Sequence, residues 1–261
     1  MLQARDVSVA IVNKTIIHDV SFTASPGHVT TIIGPNGSGK TTLLKAICSD
    51  LAYRGEVTIN GRNLNSLKSW QAASLRAVLP QSTTLSFPFT VREVVALGTT
   101  AGRSGVDDAD NLPERALERV DLEGFAGRFY QDLSGGEQQR VQLARVLCQV
   151  WQPVLDGQPR YLLLDEPVSS LDIKHQLAIM EIAREFADAG GGVLAVLHDL
   201  NLAAMSSDRI LVMRRGSAVA FGAPEEVLRD EVINPVFECN LKVGALPRQG
   251  APFVLPQSAR A

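Results

Sequence analysis

The sequence predicts an α/β fold: a parallel sheet covered on both faces, with antiparallel strands at its N-terminal end and an inserted α-helical subdomain. Three observations predict it. A β-branched run, Val29-Thr30-Thr31-Ile32-Ile33, leads into Gly34-Pro35-Asn36-Gly37-Ser38-Gly39-Lys40-Thr41, the G-x-x-x-x-G-K-T pattern of a loop that joins a strand to a helix and cradles phosphate. Later in the chain, short continuous apolar runs alternate with helical segments, as they do when a parallel sheet is buried on both faces. Between these parts, from about residue 82 to about residue 150, the pattern is helical.

In chain order, Val7 to Val12 and Val20 to Thr23 read as short strands around a polar turn at Asn13-Lys14. Pro26-Gly27 is a turn, Val29 to Ile33 a buried strand, and Thr41 to Asp50 the helix that the glycine-rich loop opens. Glu56 to Ile59 is a strand running into a turn at Asn60-Gly61. Beyond Gln81, Val91 to Leu97 and Leu112 to Val120 read as helices separated by an exposed loop from Gly102 to Asp110, and a further helix spans Gly136 to Trp151. The strand Leu162 to Leu164, the helix Ile173 to Ala187, the strand Val193 to Leu197, a helix start at Leu202 to Met205 and the strand Ile210 to Met213 then alternate. These elements make one domain over residues 2–240. Residues 241–261, Pro-rich from Pro247, form a surface tail.

The 261 residues are enough to bury a sizeable core. With aromatics at 5%, that core rests on Leu, Val, Ile and Ala. A formal net charge of −3 and the lack of any long basic run weigh against nucleic acid as a partner. No apolar run reaches the roughly 20 residues of a membrane helix, and Met1-Leu2-Gln3-Ala4-Arg5-Asp6 lacks a signal-peptide pattern. Cys48, Cys148 and Cys239 are widely spaced and read as structural thiols.

The candidate nucleotide-binding set is Gly34, Pro35, Asn36, Gly37, Ser38, Gly39, Lys40, Thr41 and Thr42. The glycines permit a backbone whose successive N–H groups face an anion, and the following helix directs its positive end to the same place. Lys40 reaches the β- and γ-phosphates of ATP and the Thr41 hydroxyl is a ligand for Mg²⁺. Asp165 and Glu166 follow four apolar residues and so stand at a strand's C-terminal end, where ligands of open α/β sheets collect. Asp165 is placed to hold Mg²⁺, Glu166 to orient and deprotonate an attacking water. His198 ends another apolar strand, where an imidazole can contact a γ-phosphate. Gln81 carries an amide suited to a weak, releasable Mg²⁺ contact. Taken singly, each of these two reads better as an ordinary polar residue.

Leu133-Ser134-Gly135-Gly136-Glu137-Gln138 reads as a second anion-binding helix start: Ser134 caps the helix and the Ser134, Gly135 and Gly136 amides can donate to phosphate. A plain capped helix has the same pattern. Two such termini in one chain are explained if the chain pairs with a copy of itself and each terminus serves the partner's ATP.

The set of motifs resembles the nucleotide-binding subunit of ATP-binding cassette transporters, a P-loop NTPase-type fold, from about residue 2 to residue 230. Leu133-Ser134-Gly135-Gly136-Glu137-Gln138 is similar to that family's signature, and Ser169-Ser170-Leu171-Asp172 resembles the loop that crosses its dimer interface. The resemblance implies a head-to-tail homodimer on two membrane permease subunits, served indirectly by a periplasmic substrate-binding protein, at the cytoplasmic face of the inner membrane. Three runs resemble the ATPases of haem, iron-siderophore and cobalamin importers: Phe87-Pro88-Phe89-Thr90-Val91-Arg92-Glu93-Val94-Val95-Ala96-Leu97-Gly98, Leu171-Asp172-Ile173-Lys174-His175-Gln176, and the spacer Trp151 to Tyr161. The spacer and the tail run Gly250-Ala251-Pro252-Phe253-Val254-Leu255-Pro256 are similar to haemin import subunits, which implies haem as cargo. Iron-siderophore or cobalamin import, and a soluble cassette ATPase without a permease, are the alternatives. The sequence departs from the family at Ile11, where an aromatic often stacks on adenine, and at Val168, where a hydroxyl residue is common.

Overall fold

The computed structural model describes residues 1–83, 85, 87–101, 105, 106, 108–246, 250, 252 and 254–257. The N-terminal strands are β1 (Leu2–Ile11) and β2 (Lys14–Ala24), followed by β3 (Val29–Ile33), α1 (Lys40–Ile47), β4 (Arg54–Ile59) and β5 (Arg62–Asn63). Next come α2 (Ser69–Leu75), β6 (Arg76–Leu79), α3 (Val91–Ala101), α4 (Leu112–Arg119) and α5 (Gly135–Gln149). The C-terminal half holds β7 (Val154–Leu155), β8 (Gln158–Pro159), β9 (Tyr161–Asp165), α6 (Ile173–Asp188), β10 (Gly192–Val196), α7 (Leu200–Ser206), β11 (Arg209–Arg214), β12 (Ser217–Gly222), α8 (Pro224–Val227) and α9 (Asp230–Phe237).

Two sheets carry the fold. The six-stranded one has the order β12-β11-β3-β10-β9-β6. Its strands run parallel except β12, which pairs antiparallel with β11. The four-stranded one, β2-β1-β4-β5, is antiparallel. The continuous apolar runs follow from burial on two sides. In β9, Leu162 and Leu164 enter the core shared with α3 to α6, while Tyr161 and Leu163 enter the core beneath α1 and the antiparallel sheet. Val193 and Ala195 of β10 face the first core and Leu194 and Val196 the second. Because side chains alternate along a strand, both faces must be apolar. Trimming Leu163 to Ala, at full burial, costs about 2–5 kcal/mol.

The inserted helices continue the first core rather than closing one of their own. Val91, Val94 and Val95 of α3, Leu112 and Leu117 of α4, and Val141, Leu143 and Leu147 of α5 join Ala77, Leu79 and Leu162 of the sheet. Close approach of α3 to α5 requires Gly98, since a Cβ there would lie 2.0 Å from the Arg145 carbonyl oxygen.

Several expectations are corrected. The first two strands are longer than expected, and their turn is Val12-Asn13, both at positive φ (43° and 66°), one residue earlier than Asn13-Lys14. The helix after the loop ends at Ile47 rather than Asp50. The spacer between Trp151 and Tyr161 is a hairpin, β7 with β8. Of the loop from Gly102 to Asp110, residues 102–104 and 107 lie outside the described residues, and Val106 packs against the core instead of being exposed. Most of the tail from Pro247 onward also lies outside the described residues.

Candidate functional site: the phosphate loop and the strand ends

The sheet delivers its functional side chains to one edge. Gly34 follows β3, Asp165 ends β9, and His198 comes two residues after β10, so three neighbouring parallel strands point their C-terminal ends at the same place. Glycine is obligatory at 34: a Cβ would sit 2.3 Å from the Met213 carbonyl oxygen and 2.7 Å from Ser38 Oγ. The loop therefore hugs β11 and leaves its inner side open.

A cleft of about 160 Å³ lies there, walled by Asn36, Gly37, Gly39, Lys40, Thr41, Thr42, Glu166 and His198. Gly34, Pro35 and Ser38 shape the loop from behind. Lys40 is buried, and its Nζ donates to the carbonyl oxygens of Gly34 at 2.9 Å and Pro35 at 3.2 Å. Burial pulls the Lys40 ammonium below the ordinary lysine value, and the charges of Glu166 and Asp165 oppose this. A buried cation held only by carbonyls fits an anion: phosphate oxygens offer it a charged partner. Ser38 Oγ is buried without a hydrogen-bond partner in the same loop.

Asp165 is buried, and Thr41 Oγ1 donates to its Oδ1 at 3.2 Å. Burial raises the Asp165 carboxyl above its ordinary value, as does the charge of Glu166, while the Thr41 bond and the charges of Lys45 and Lys40 pull the other way. These two hard oxygen ligands suit Mg²⁺, which keeps waters and phosphate oxygens and needs few protein groups. Among the described residues, no cluster of three or more His, Cys, Asp and Glu could hold a metal by itself.

Glu166 sits between the other two expected residues. Gln81 Nε2 donates to its Oε2 at 2.9 Å, and His198 Nε2 lies 2.6 Å from its Oε1. Its backbone φ is 51°, a conformation that costs energy in a residue with a Cβ and is held by its surroundings. No local pattern reveals this arrangement, which joins residues 85 positions apart.

The second helix terminus is built as expected and lies elsewhere. Ser134 caps α5: its Oγ accepts from the Glu137 N–H at 3.4 Å, while the Glu137 carboxylate accepts from Ser134 N at 2.8 Å and from Ser134 Oγ at 2.7 Å. This is a reciprocal capping box. The Ser134 bonds hold the Glu137 carboxyl below its usual range. Gly135 and Gln81 face a shared small cavity, and Gly136 packs beside Leu171. Ser134 and Gly136 are absent from the wall of the phosphate cleft in their own chain. Ile11 is half exposed at the end of β1, also outside that wall.

Cys48 and Cys148 are buried and free; burial pushes both thiols up to about 12, which leaves them unreactive at neutral pH. Cys239 is exposed.

A glycine-rich phosphate loop, a buried Asp–Thr pair and a carboxylate at the strand ends define a P-loop nucleotide-binding protein with a helical subdomain. The family comparison sharpens this. The ABC transporter family matches residues 17–169, and the chain belongs to it. It is 66% identical over 262 residues to the Hemin import ATP-binding protein HmuV of Mesorhizobium japonicum, covering 99% of each chain. It is 58% identical over 260 residues to the protein of the same name from Rhizobium meliloti, again with 99% of each covered. A solved structure described as the ATP binding subunit of an ABC transporter superposes with a TM-score of 0.78 over 94% of this chain and 95% of that one, at 24% identity, a likeness of fold. As a member of this family the chain binds ATP. Among the described residues no helix is long and apolar enough to cross a membrane.

Proposed function

We propose that this chain hydrolyses ATP to drive haemin import, as a homodimer beneath a membrane permease at the cytoplasmic face of the inner membrane. The observation that carries the hydrolytic half is Glu166 held between Gln81 and His198 on the rim of the Lys40 cleft. Haemin is supported by the names of relatives between 53% and 66% identical along nearly the whole chain.

In this reading Lys40 exchanges its two carbonyl partners for the β- and γ-phosphate oxygens of ATP, and the loop N–H groups take the remaining phosphate charge. Thr41 and Asp165, with Gln81 as a releasable third contact, would hold Mg²⁺, which when bound would neutralise charge on the phosphates. Glu166 accepts a proton from the attacking water, and His198 fixes the carboxylate and contacts the γ-phosphate. Gln81 binds Glu166 now and would change partner with the nucleotide, which makes the segment from Ser82 to Gly98 a lever toward the permease. Ser134, Gly135 and Gly136 serve the ATP bound by the partner copy. A periplasmic binding protein delivers cargo to the permease and never touches this chain.

The test is reconstitution of the subunit with its permease in vesicles. Haemin, a ferric siderophore and cobalamin are offered in turn, with ATP inside. Accumulation of haemin alone is expected. Transport of cobalamin or the siderophore in its place refutes the cargo assignment.

A further inference from the structure

Three helices meet at one carboxylate. Asp121 lies just past α4, in a left-handed conformation with φ at 59°. Lys174, in the first turn of α6, donates through Nζ to Asp121 Oδ2 at 2.8 Å, and His175 Nε2 lies 3.6 Å from the same oxygen. Arg140 of α5 donates through Nη1 to the carbonyl oxygens of Val120 at 2.9 Å and Asp121 at 2.7 Å. The same nitrogen is 4.0 Å from the Asp121 carboxylate. The Lys174 bond, with Arg140 and His175 adding to it, holds the Asp121 carboxyl below its usual range. His175 is engaged on its other side as well: Nδ1 lies 2.7 Å from Asp172 Oδ1, the oxygen that accepts the His175 N–H and caps α6. Further along, Arg119 Nη2 of α4 meets Glu185 Oε2 of α6 at 2.6 Å.

The network ties together two segments that face another copy in the homodimer reading. α5 begins at Ser134, and α6 follows directly on Ser169-Ser170-Leu171-Asp172. Leu171 packs against Gly136, where an added Cβ would lie 3.0 Å from Leu171 Cδ2. Apolar contact is non-directional: it sets the separation of the two segments and leaves their angle free. The Asp121 contacts are directional and set the angle. The Asp121 and Lys174 side chains are 64% and 74% exposed, and exposed pairs add little to folding stability. Their strength suits orientation of α5 against α6 better than it suits holding the fold.

We propose that Asp121 is a positioning residue: by joining Lys174 and His175 of α6 to Arg140 of α5, it keeps Ser134 and the Ser169-Ser170 loop in one register, so that both reach the partner's ATP together when two copies close. This rests on the homodimer reading. Asp121, Arg140, Lys174 and His175 take no part in the wall of the phosphate cleft of their own chain, so a single copy should bind ATP without them. The size of the effect follows from the strength of the network. Without it α5 samples other angles, and each copy loses on closure what the exposed network was worth, about fivefold. A dimer contains two such networks, so closure should weaken about twenty-five-fold.

The test measures ATP-driven dimerisation of the full chain by light scattering, in a Glu166→Gln background that retains its nucleotide. Asp121→Asn keeps a residue that tolerates positive φ and removes the charge. It should weaken dimerisation about twenty-five-fold. Lys174→Met should weaken it less, because Arg140 and His175 remain, and Lys174→Arg, which keeps the charge, should dimerise like the background chain. The double variant Asp121→Asn with Lys174→Met should be no weaker than Asp121→Asn alone, since both changes break one network. ATP affinity at concentrations too low for dimers should stay within about twofold, and the melting temperature should fall by no more than about 2–4 °C. If Asp121→Asn folds poorly, Lys174→Met, at an exposed position, decides the matter by the same comparison. If the background chain dimerises with ATP and the Asp121 and Lys174 variants dimerise equally well, the positioning role is refuted and the homodimer reading stands. If Asp121→Asn lowers single-copy affinity as much as dimerisation, Asp121 supports the fold instead of the angle, and the positioning role is again refuted. If the background chain does not dimerise with ATP, the homodimer reading fails and this role with it.

Discussion

Glu166 Oε1 lies 2.6 Å from His198 Nε2, across the mouth of the cleft that contains Lys40. With Gln81 on the other oxygen, the carboxylate is fixed from both sides before any water arrives. Replacing Glu166 with Gln keeps the shape, and a flip of the Gln81 amide restores the second hydrogen bond. Nucleotide binding should therefore persist while turnover falls by about 10²–10⁴-fold, the range for a lost general base. Steady-state hydrolysis within about twofold of the parent would remove Glu166 from that role.

Lys40→Ala should weaken ATP affinity by roughly 10- to 100-fold, in keeping with about 1.5–3 kcal/mol for a hydrogen bond to a charged group. The ammonium is buried and disfavoured there by desolvation, so the nucleotide-free variant should be no less stable than the parent. Calorimetric titration with Mg²⁺-ATP gives the first quantity and thermal unfolding the second. Unchanged affinity would place the phosphates outside this loop.

Asp165 supplies a pH-dependent prediction whose sign is fixed by the direction of its shift. Burial raises the folded-state value above the ordinary 3.8. The folded chain then holds the proton more tightly than the unfolded chain, so stability falls as pH rises through this window. The penalty is fully present above the raised value and absent below the ordinary one. Asp165→Asn retains an acceptor for Thr41 Oγ1 and removes the charge. Without nucleotide it should melt higher than the parent at neutral pH, and the gain should vanish in acid. A lower melting temperature at neutral pH would show that the carboxylate is stabilised by its surroundings. The same variant should lose Mg²⁺-dependent turnover.

The motifs were legible because each is short and local. The loop Gly34 to Thr41 needs a strand before it and a helix after it, and Asp165-Glu166 needs only the apolar run in front. What was missed depends on pairing between distant parts. The strand Arg76–Leu79 has four residues and alternates half-buried with buried positions; only its place beside β9 makes it a strand. β12 is an edge strand in which only Gly222 is buried, and α9 carries Pro235 inside the helix, where proline ordinarily signals an end. The bond from Lys174 to Asp121 joins residues 53 positions apart and has no sequence signature.

Phe87 and Phe89 are neighbours with different surroundings. Their rings meet edge to face at 6.4 Å between centroids. Phe89 packs against the core, whereas Phe87 is 69% exposed. Phe87→Asp should thus preserve folding and hydrolysis by the isolated subunit but reduce transport and co-purification with the permease. Phe89→Asp buries a charge and should lower stability by about 2 kcal/mol or more. Parental transport by Phe87→Asp in vesicles would place the docking surface elsewhere.

Ser134 separates a shared site from a private one. Its hydroxyl and amide are satisfied by Glu137 within the capping box, and it does not reach the phosphate cleft of its own chain. If α5 serves the partner's ATP, each composite site combines Lys40 of one copy with Ser134 of the other. A mixed dimer with Lys40→Ala on one copy and Ser134→Arg on the other then carries both lesions in one site and leaves the second intact. It should bind one nucleotide tightly per dimer, at the parental affinity. If Ser134 acts on its own chain's ATP, the same lesions fall in different sites and neither keeps parental affinity. Titration of the tagged, purified heterodimer against both homodimeric variants distinguishes these cases. Failure to retain a single tight site, in a dimer shown by light scattering to be intact, would rule out the head-to-tail arrangement.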